Sequence, residues 1–100
     1  MSMKVLVVDD EELVLRVTTQ VLGRLGLGVV SARDGEEALD LFTKEVDVAV
    51  LDLELPGMDG LEVLSTLRWL RPGLPAVLAT GWELEEARVP DGVQLLDKPY

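Results

Sequence analysis

Short runs of apolar residues alternate along the chain with segments of helical periodicity. The apolar runs have the pattern of strands buried on both faces of a sheet. They predict strands at 4–8, 28–32, 47–51, 76–79 and 93–96. Helices are predicted over 11–24, 34–42, 59–71 and, in shortened form, within 82–89. Because strands and helices alternate throughout, we predict an α/β domain with a parallel sheet, right-handed crossovers and helices on both faces.

Two of the helix starts carry capping signals. Asp34 stands three residues before Glu37, and Asp59 stands three residues before Glu62. This is capping-box spacing, in which the first side chain accepts a hydrogen bond from the backbone three residues later. The interruption at 55–57 (Leu-Pro-Gly) separates the third strand from the helix that starts at Asp59.

The first helix is predicted from apolar residues that recur every four positions, with further apolar residues beside them. These are Leu13, Val17, Val21 and Leu25. Asp10 has a structural interpretation as the N-cap of this helix, whose dipole then favours Glu11 and Glu12. That interpretation leaves the acidic character of Asp9 unexplained.

Composition narrows the chemistry. The chain has 100 residues, which predicts a single domain over 1–100, and its net charge is −10. Such a charge disfavours nucleic acid and anionic membranes as direct partners. Without Cys or His, any bound metal must be a hard cation held by oxygen atoms. No apolar run approaches membrane-spanning length and the first residues lack a signal-peptide pattern, so we expect a cytoplasmic protein.

Charged and hydroxyl side chains follow the predicted strands where each strand ends. They are Asp9 and Asp10, Asp52, Thr80, and Asp97 with Lys98. Since parallel strands end at the same edge, these groups should converge, and several carboxylates together require a cation such as Mg²⁺ or the Lys98 ammonium. A carboxylate there can accept a phosphoryl group, with Asp52 as the nucleophile and Lys98 and Thr80 stabilising the developing charge.

Taken singly, some of these residues have ordinary structural roles. Thr80 alone fits an unremarkable strand end, Lys98 a solvated charge, and Asp59 a helix cap. The combination, in which all of them fall at strand ends, is what favours phosphoryl chemistry.

In its motifs the sequence resembles the receiver domains of two-component response regulators. The matching segments occur in the family's order and span the chain. They are 7–11 (Val-Val-Asp-Asp-Glu), 51–52 (Leu-Asp), 55–60 (Leu-Pro-Gly-Met-Asp-Gly), 79–81 (Ala-Thr-Gly) and 98–100 (Lys-Pro-Tyr). The resemblance implies a flavodoxin-like (CheY-like) sheet of strand order 2-1-3-4-5.

The same resemblance implies the site. Asp52 would accept a phosphoryl group from the phosphohistidine of a histidine kinase or phosphotransfer protein. Mg²⁺ would be held at Asp10 directly, at Asp9 through water, at Asp52 and at the backbone carbonyl of Glu54. Thr80 and Lys98 would contact the phosphoryl group. Such a domain is a signalling module whose only catalysis is its own Mg²⁺-dependent phosphorylation and dephosphorylation.

Three features depart from the family pattern. Leu95 stands where an aromatic residue is usual, the segment from Thr80 to Lys98 is short, and the chain stops at Tyr100, before a fifth helix. A missing fifth helix would leave part of one sheet face bare. We expect a homodimer contact or a C-terminal output segment to cover that face.

Two other functions stay open from the sequence. A receiver that is never phosphorylated could act purely as a protein-interaction module. The segment Asp52-Leu53-Glu54 also loosely resembles the nucleophile motif of haloacid-dehalogenase-like phosphatases. Those enzymes, however, need Asp where this chain has Glu54, and a larger sheet or a cap.

Overall fold

The computed structural model describes residues 3–80 and 89–97. The strands are β1 (Lys4–Val8), β2 (Gly28–Ala32), β3 (Val48–Asp52), β4 (Ala76–Thr80) and β5 (Val93–Asp97). The helices are α1 (Glu12–Arg24), α2 (Gly35–Leu41) and α3 (Gly60–Leu70). The short helix predicted within 82–89 falls almost wholly outside the described residues. Within 3–80 and 89–97, no helix has the length and apolar character needed to cross a membrane.

The five strands form one parallel sheet in the order β2-β1-β3-β4-β5. This confirms the flavodoxin-like topology. The strand order reverses between β1 and β3, because the chain first adds β2 on one side of β1 and then adds β3 on the other. In doubly wound sheets, ligands bind at the carboxyl ends of the strands that flank such a switch point.

The larger hydrophobic core lies between the sheet and the helices α2 and α3. Alternate strand residues such as Leu6, Leu51 and Leu78 meet Leu64 and Leu67 of α3, and all five are almost inaccessible to solvent. A smaller cluster on the other sheet face contains Val5, Val7 and Leu15 of α1. The two faces of the sheet are therefore covered unequally by the described residues.

Helix α1 forms as predicted, but its apolar stripe is not its buried face. Leu13 is 72% exposed and Leu25 71% exposed, and Val17 and Val21 are each about half exposed. The buried residue of this helix is Leu15. The stripe lies on the flank of α1, because the sheet contacts a neighbouring face of the helix.

Two of the predicted caps are confirmed and one is wrong. Asp34 accepts a hydrogen bond from the N–H of Glu37, and Asp59 accepts one from the N–H of Glu62, each at 2.8 Å. Asp10 does not cap α1. The N-cap position belongs to Glu11, whose side chain makes no capping bond.

Candidate functional site

Three carboxylates converge at the carboxyl ends of β1 and β3. Asp9 and Asp10 follow β1, and Asp52 is the last residue of β3, the neighbouring strand. Each offers one carboxylate oxygen, and these oxygens lie within 4.8 Å of one another. The parallel register brings them together, because Val8 pairs with Leu51, and Asp9 and Asp52 are the residues that directly follow this pair. The predicted convergence of these three residues is confirmed.

Two of the three carboxylates in this cluster are buried. Asp52 is 3% and Asp9 is 5% exposed, whereas Asp10 is exposed. Carboxylates this close repel one another, and a cation relieves the repulsion. A divalent cation bound by these side chains would supply the positive charge that offsets this repulsion. The donor set, all oxygen and mostly carboxylate, also suits Mg²⁺, and Asp9, Asp10 and Asp52 are the residues that would hold it.

The two buried carboxylates are oriented by their own backbones. Asp9 Oδ1 accepts a hydrogen bond from the N–H of Glu11 at 2.9 Å, and Asp52 Oδ1 accepts one from the N–H of Glu54 at 3.1 Å. Hydrogen bonds from an amide to a carboxylate are stronger than those to a neutral acceptor. Both side chains are thereby held in a set direction at the strand ends.

The loop from β3 to α3 is clamped on both sides of Leu53. The N–H of Leu53 donates to the carbonyl of Ala79 at 2.9 Å, and the carbonyl of Leu53 accepts from the N–H of Gly60 at 2.8 Å. A β-carbon on Gly60 would lie only 2.5 Å from the carbonyl oxygen of Asp52. Sequence reasoning identified the helix start at Asp59 but missed this role of Gly60. A glycine directly after an N-cap residue was the available signal.

Of the other predicted site residues, the structure describes two near this cluster and does not describe the third. Thr80 ends β4 and is 3% exposed, one residue beyond Ala79, which pairs with Asp52. Glu54 is exposed and lies with Asp10 and Asp52 in a depression of about 550 Å³. Lys98 lies outside the described residues, directly after Asp97, which pairs with Thr80.

Comparison with known proteins decides the family. The model of the response regulator receiver domain matches residues 5–99. The chain belongs to this family.

Individual relatives agree with this membership. The receiver domain is 41% identical over 90 residues to the alkaline phosphatase synthesis transcriptional regulatory protein PhoP of Bacillus subtilis (strain 168). That match covers 89% of this chain but only 38% of PhoP. The chain therefore spans less than half the length of this relative.

Solved structures agree as well. The chemotaxis protein CheY4 of Vibrio cholerae has a TM-score of 0.90 at 28% identity, covering 100% of this chain and 89% of CheY4. The response regulator protein TrrA of Thermotoga maritima, in complex with Mg(2+)-BeF, has a TM-score of 0.83 at 29% identity, covering 98% and 88%.

Membership of this family establishes the general role. The chain is a receiver domain, a phosphoacceptor signalling domain of two-component phosphorelay systems. Receiver domains interact with histidine kinases or phosphotransfer proteins and with output domains. The cluster of Asp9, Asp10 and Asp52 corresponds in character to the acidic metal site of such domains.

Proposed function

We propose that Asp52 is the residue that accepts the phosphoryl group, with Mg²⁺ held beside it by Asp9, Asp10, Asp52 and the backbone carbonyl of Glu54. The observation that carries this proposal is the meeting of the three carboxylates, within 4.8 Å, at the switch point of the sheet. The donor is the phosphohistidine of a histidine kinase or phosphotransfer protein. A cytoplasmic location and a single receiver domain over 1–100 belong to the same proposal and rest on family membership.

The position of Asp52 in the sheet favours it over its acidic neighbours as the acceptor. Strand β3 lies between β1, which leads to Asp9 and Asp10, and β4, which ends at Thr80. A phosphoryl group on Asp52 would thus have carboxylates for a cation on one side and a hydroxyl donor on the other. Asp10 lacks this flanking, and it is exposed.

The chemistry is an in-line phosphoryl transfer. A carboxylate oxygen of Asp52 attacks the phosphorus, so that a P–O bond forms as the P–N bond to the histidine breaks. The electron pair of the broken bond returns to the imidazole, which leaves neutral because its other ring nitrogen carries a proton. Thr80 and Lys98 donate hydrogen bonds to the phosphoryl oxygens, on which negative charge is spread. Mg²⁺, when bound, supplies the remaining charge compensation at these oxygens.

The metal assignment has support from the donor set and from a relative. TrrA forms a complex with Mg(2+)-BeF, and this chain offers three carboxylate oxygens at the corresponding edge of the same fold. The exposed position of Asp10 lets a hydrated cation enter from solvent. Mg²⁺ keeps several waters when bound by proteins, which suits a cluster that is buried on one side only.

The decisive experiment is incubation with a small phosphodonor, such as acetyl phosphate, and Mg²⁺, followed by intact-mass measurement. We expect one phosphoryl adduct on the native chain and none on Asp52→Asn. Asp59→Asn is the matched control and should still form the adduct. It makes the same change at an acidic residue of the same loop, and that residue caps α3.

Other outcomes would contradict the proposal. A phosphoryl adduct that still forms on Asp52→Asn would show that another residue is the acceptor. A folded native chain that never takes up the group would favour a pure interaction module. Sustained hydrolysis of phosphomonoesters without an adduct would favour a phosphatase.

A further inference from the structure

The first residue of α2 packs against the segment that leads from β3 into α3. A β-carbon on Gly35 would lie 2.7 Å from Cγ2 of Val63, 3.0 Å from Sδ of Met58 and 3.4 Å from Cβ of Met58. Gly35 is buried and has a helical backbone conformation that any residue can adopt. The close contact with these two side chains, rather than the backbone conformation, is therefore what requires glycine at this position.

Met58 and Val63 stand on either side of the junction between the β3–α3 loop and α3. Val63 is inaccessible to solvent, and Met58 is partly buried against the larger core. Between them lies Gly60, which packs against the backbone of Asp52. The junction is thus held by two close contacts, one with the end of β3 through Gly60 and one with α2 through Gly35.

We propose that Gly35 is a positioning residue for the phosphoryl-accepting site, because it lets Met58 and Val63 pack directly on the start of α2. This contact sets the position of the β3–α3 loop and thereby the affinity for Mg²⁺. The inference rests on the proposed function, in which the backbone carbonyl of Glu54 in this loop is a ligand of the ion.

Side chains hold the middle of the β3–α3 loop against the rest of the domain. The N–H of Glu54 donates to the side chain of Asp52, and the N–H of Met58 donates to the carbonyl of its near neighbour Pro56. Both bonds stay within a short stretch of chain. Leu55 and Met58, in contrast, pack against the larger core. The position of the loop therefore depends on what these side chains rest on.

An added side chain at position 35 would displace the loop and not just one side chain. Val63 is β-branched, and in a helix such a side chain has one strongly preferred χ1 rotamer, so it does not rotate away easily. A depression of about 520 Å³, lined by the start of α2 and by Pro56, Gly57 and Met58, leaves space into which the loop can shift. Such a shift would carry the proposed carbonyl ligand away from the carboxylates.

Titration calorimetry with Mg²⁺ on the full 100-residue chain, below the unfolding temperature of every variant, tests this role. We expect Gly35→Ala to raise the dissociation constant about tenfold, the usual scale for groups that orient metal ligands. Val63→Ala is the control for stability: it deletes buried volume from the same contact and should unfold at a lower temperature, but it pushes nothing and should keep native affinity. Gly23→Ala is the control for the substitution itself, because a β-carbon there meets no atom within 4 Å.

A size exchange across the contact tests the physical cause. Combining Gly35→Ala with Val63→Ala adds volume on one side and removes it on the other. We expect the double variant to bind Mg²⁺ more tightly than Gly35→Ala and nearly as well as Val63→Ala.

A second pair of variants decides the matter if Gly35→Ala does not fold. Met58→Ala removes the contact from the side of the loop and should lower the affinity for Mg²⁺ several-fold. Leu39→Ala deletes a partly buried side chain of α2 that lines the same depression, and it should keep native affinity.

Three results would overturn the inference. Native affinity in a folded but less stable Gly35→Ala chain would make the contact purely structural. A double variant that binds no better than Gly35→Ala would exclude the contact with Val63 as the cause, and equal affinities of Met58→Ala and Leu39→Ala would exclude the loop. A native chain that binds no Mg²⁺ would instead contradict the proposed function, and this inference with it.

Discussion

The α-carbon of Gly60 lies against the backbone of Asp52, so closely that a β-carbon on Gly60 would come within 2.5 Å of the Asp52 carbonyl oxygen. The N–H of Gly60 donates a hydrogen bond to the carbonyl oxygen of Leu53, the residue that follows Asp52. The first residue of α3 is thus packed against the end of β3, which carries the proposed acceptor Asp52. Any side chain at position 60 must displace either the helix or Asp52.

Gly60→Ala should therefore damage both stability and site. We expect a loss of about 1–3 kcal/mol in the free energy of unfolding, the usual cost of forcing extra volume into a packed region. Urea denaturation measures it. Gly23→Ala is the control, because a β-carbon on Gly23, within α1, meets no atom within 4 Å and should raise stability by up to about 1 kcal/mol. Equal stability of Gly60→Ala and the native chain would show that the contact relaxes freely.

Removing one carboxylate charge from the cluster should weaken binding of Mg²⁺. For Asp10→Asn we expect at least a tenfold higher dissociation constant by isothermal titration calorimetry, because a charged ligand becomes neutral. The native chain should also unfold at a higher temperature with Mg²⁺ than without it, since an ion that binds only the folded state stabilises that state. Asp40→Asn, at an exposed position in α2, should leave affinity unchanged. Native affinity in Asp10→Asn would remove this residue from the metal site.

The hydroxyl of Thr80 should matter to the transfer rate. Thr80→Ala is expected to slow phosphorylation by a small donor about tenfold or more, because one hydrogen bond to the developing charge is lost. Thr80→Ser keeps the hydroxyl and should stay within a few-fold of the native rate. The rate of adduct formation by mass spectrometry measures both variants. If Ala and Ser behave alike, the hydroxyl has no role in the transfer.

The cap of α2 should contribute measurably to stability although it lies away from the site. Asp34→Ala removes the acceptor for the Glu37 N–H and should cost about 1 kcal/mol in thermal or urea unfolding. Asp40→Ala, exposed near the end of the same helix, provides the comparison. A cost for Asp34→Ala no larger than that for Asp40→Ala would show that the capping bond contributes little in water.

Local features of this protein could be predicted from sequence because they depend on neighbours in the chain. The capping bonds of Asp34 and Asp59 follow from spacing alone, and the strands follow from runs of apolar residues. The carboxylate cluster was also predictable, since parallel strands place their ends at one edge. β3 nevertheless includes Asp52 itself, one residue beyond the predicted end of the strand.

The order of strands and helices, and the residue types at the strand ends, follow from the amino-acid pattern. Three features instead depend on packing between distant segments. The stripe through Val17 and Val21 is exposed while Leu15 is buried, Asp10 is exposed beside a buried Asp9, and Gly60 touches Asp52. Periodicity shows which residues share a helix face. Which face meets the sheet depends on how distant segments pack, and that information is not contained in local spacing.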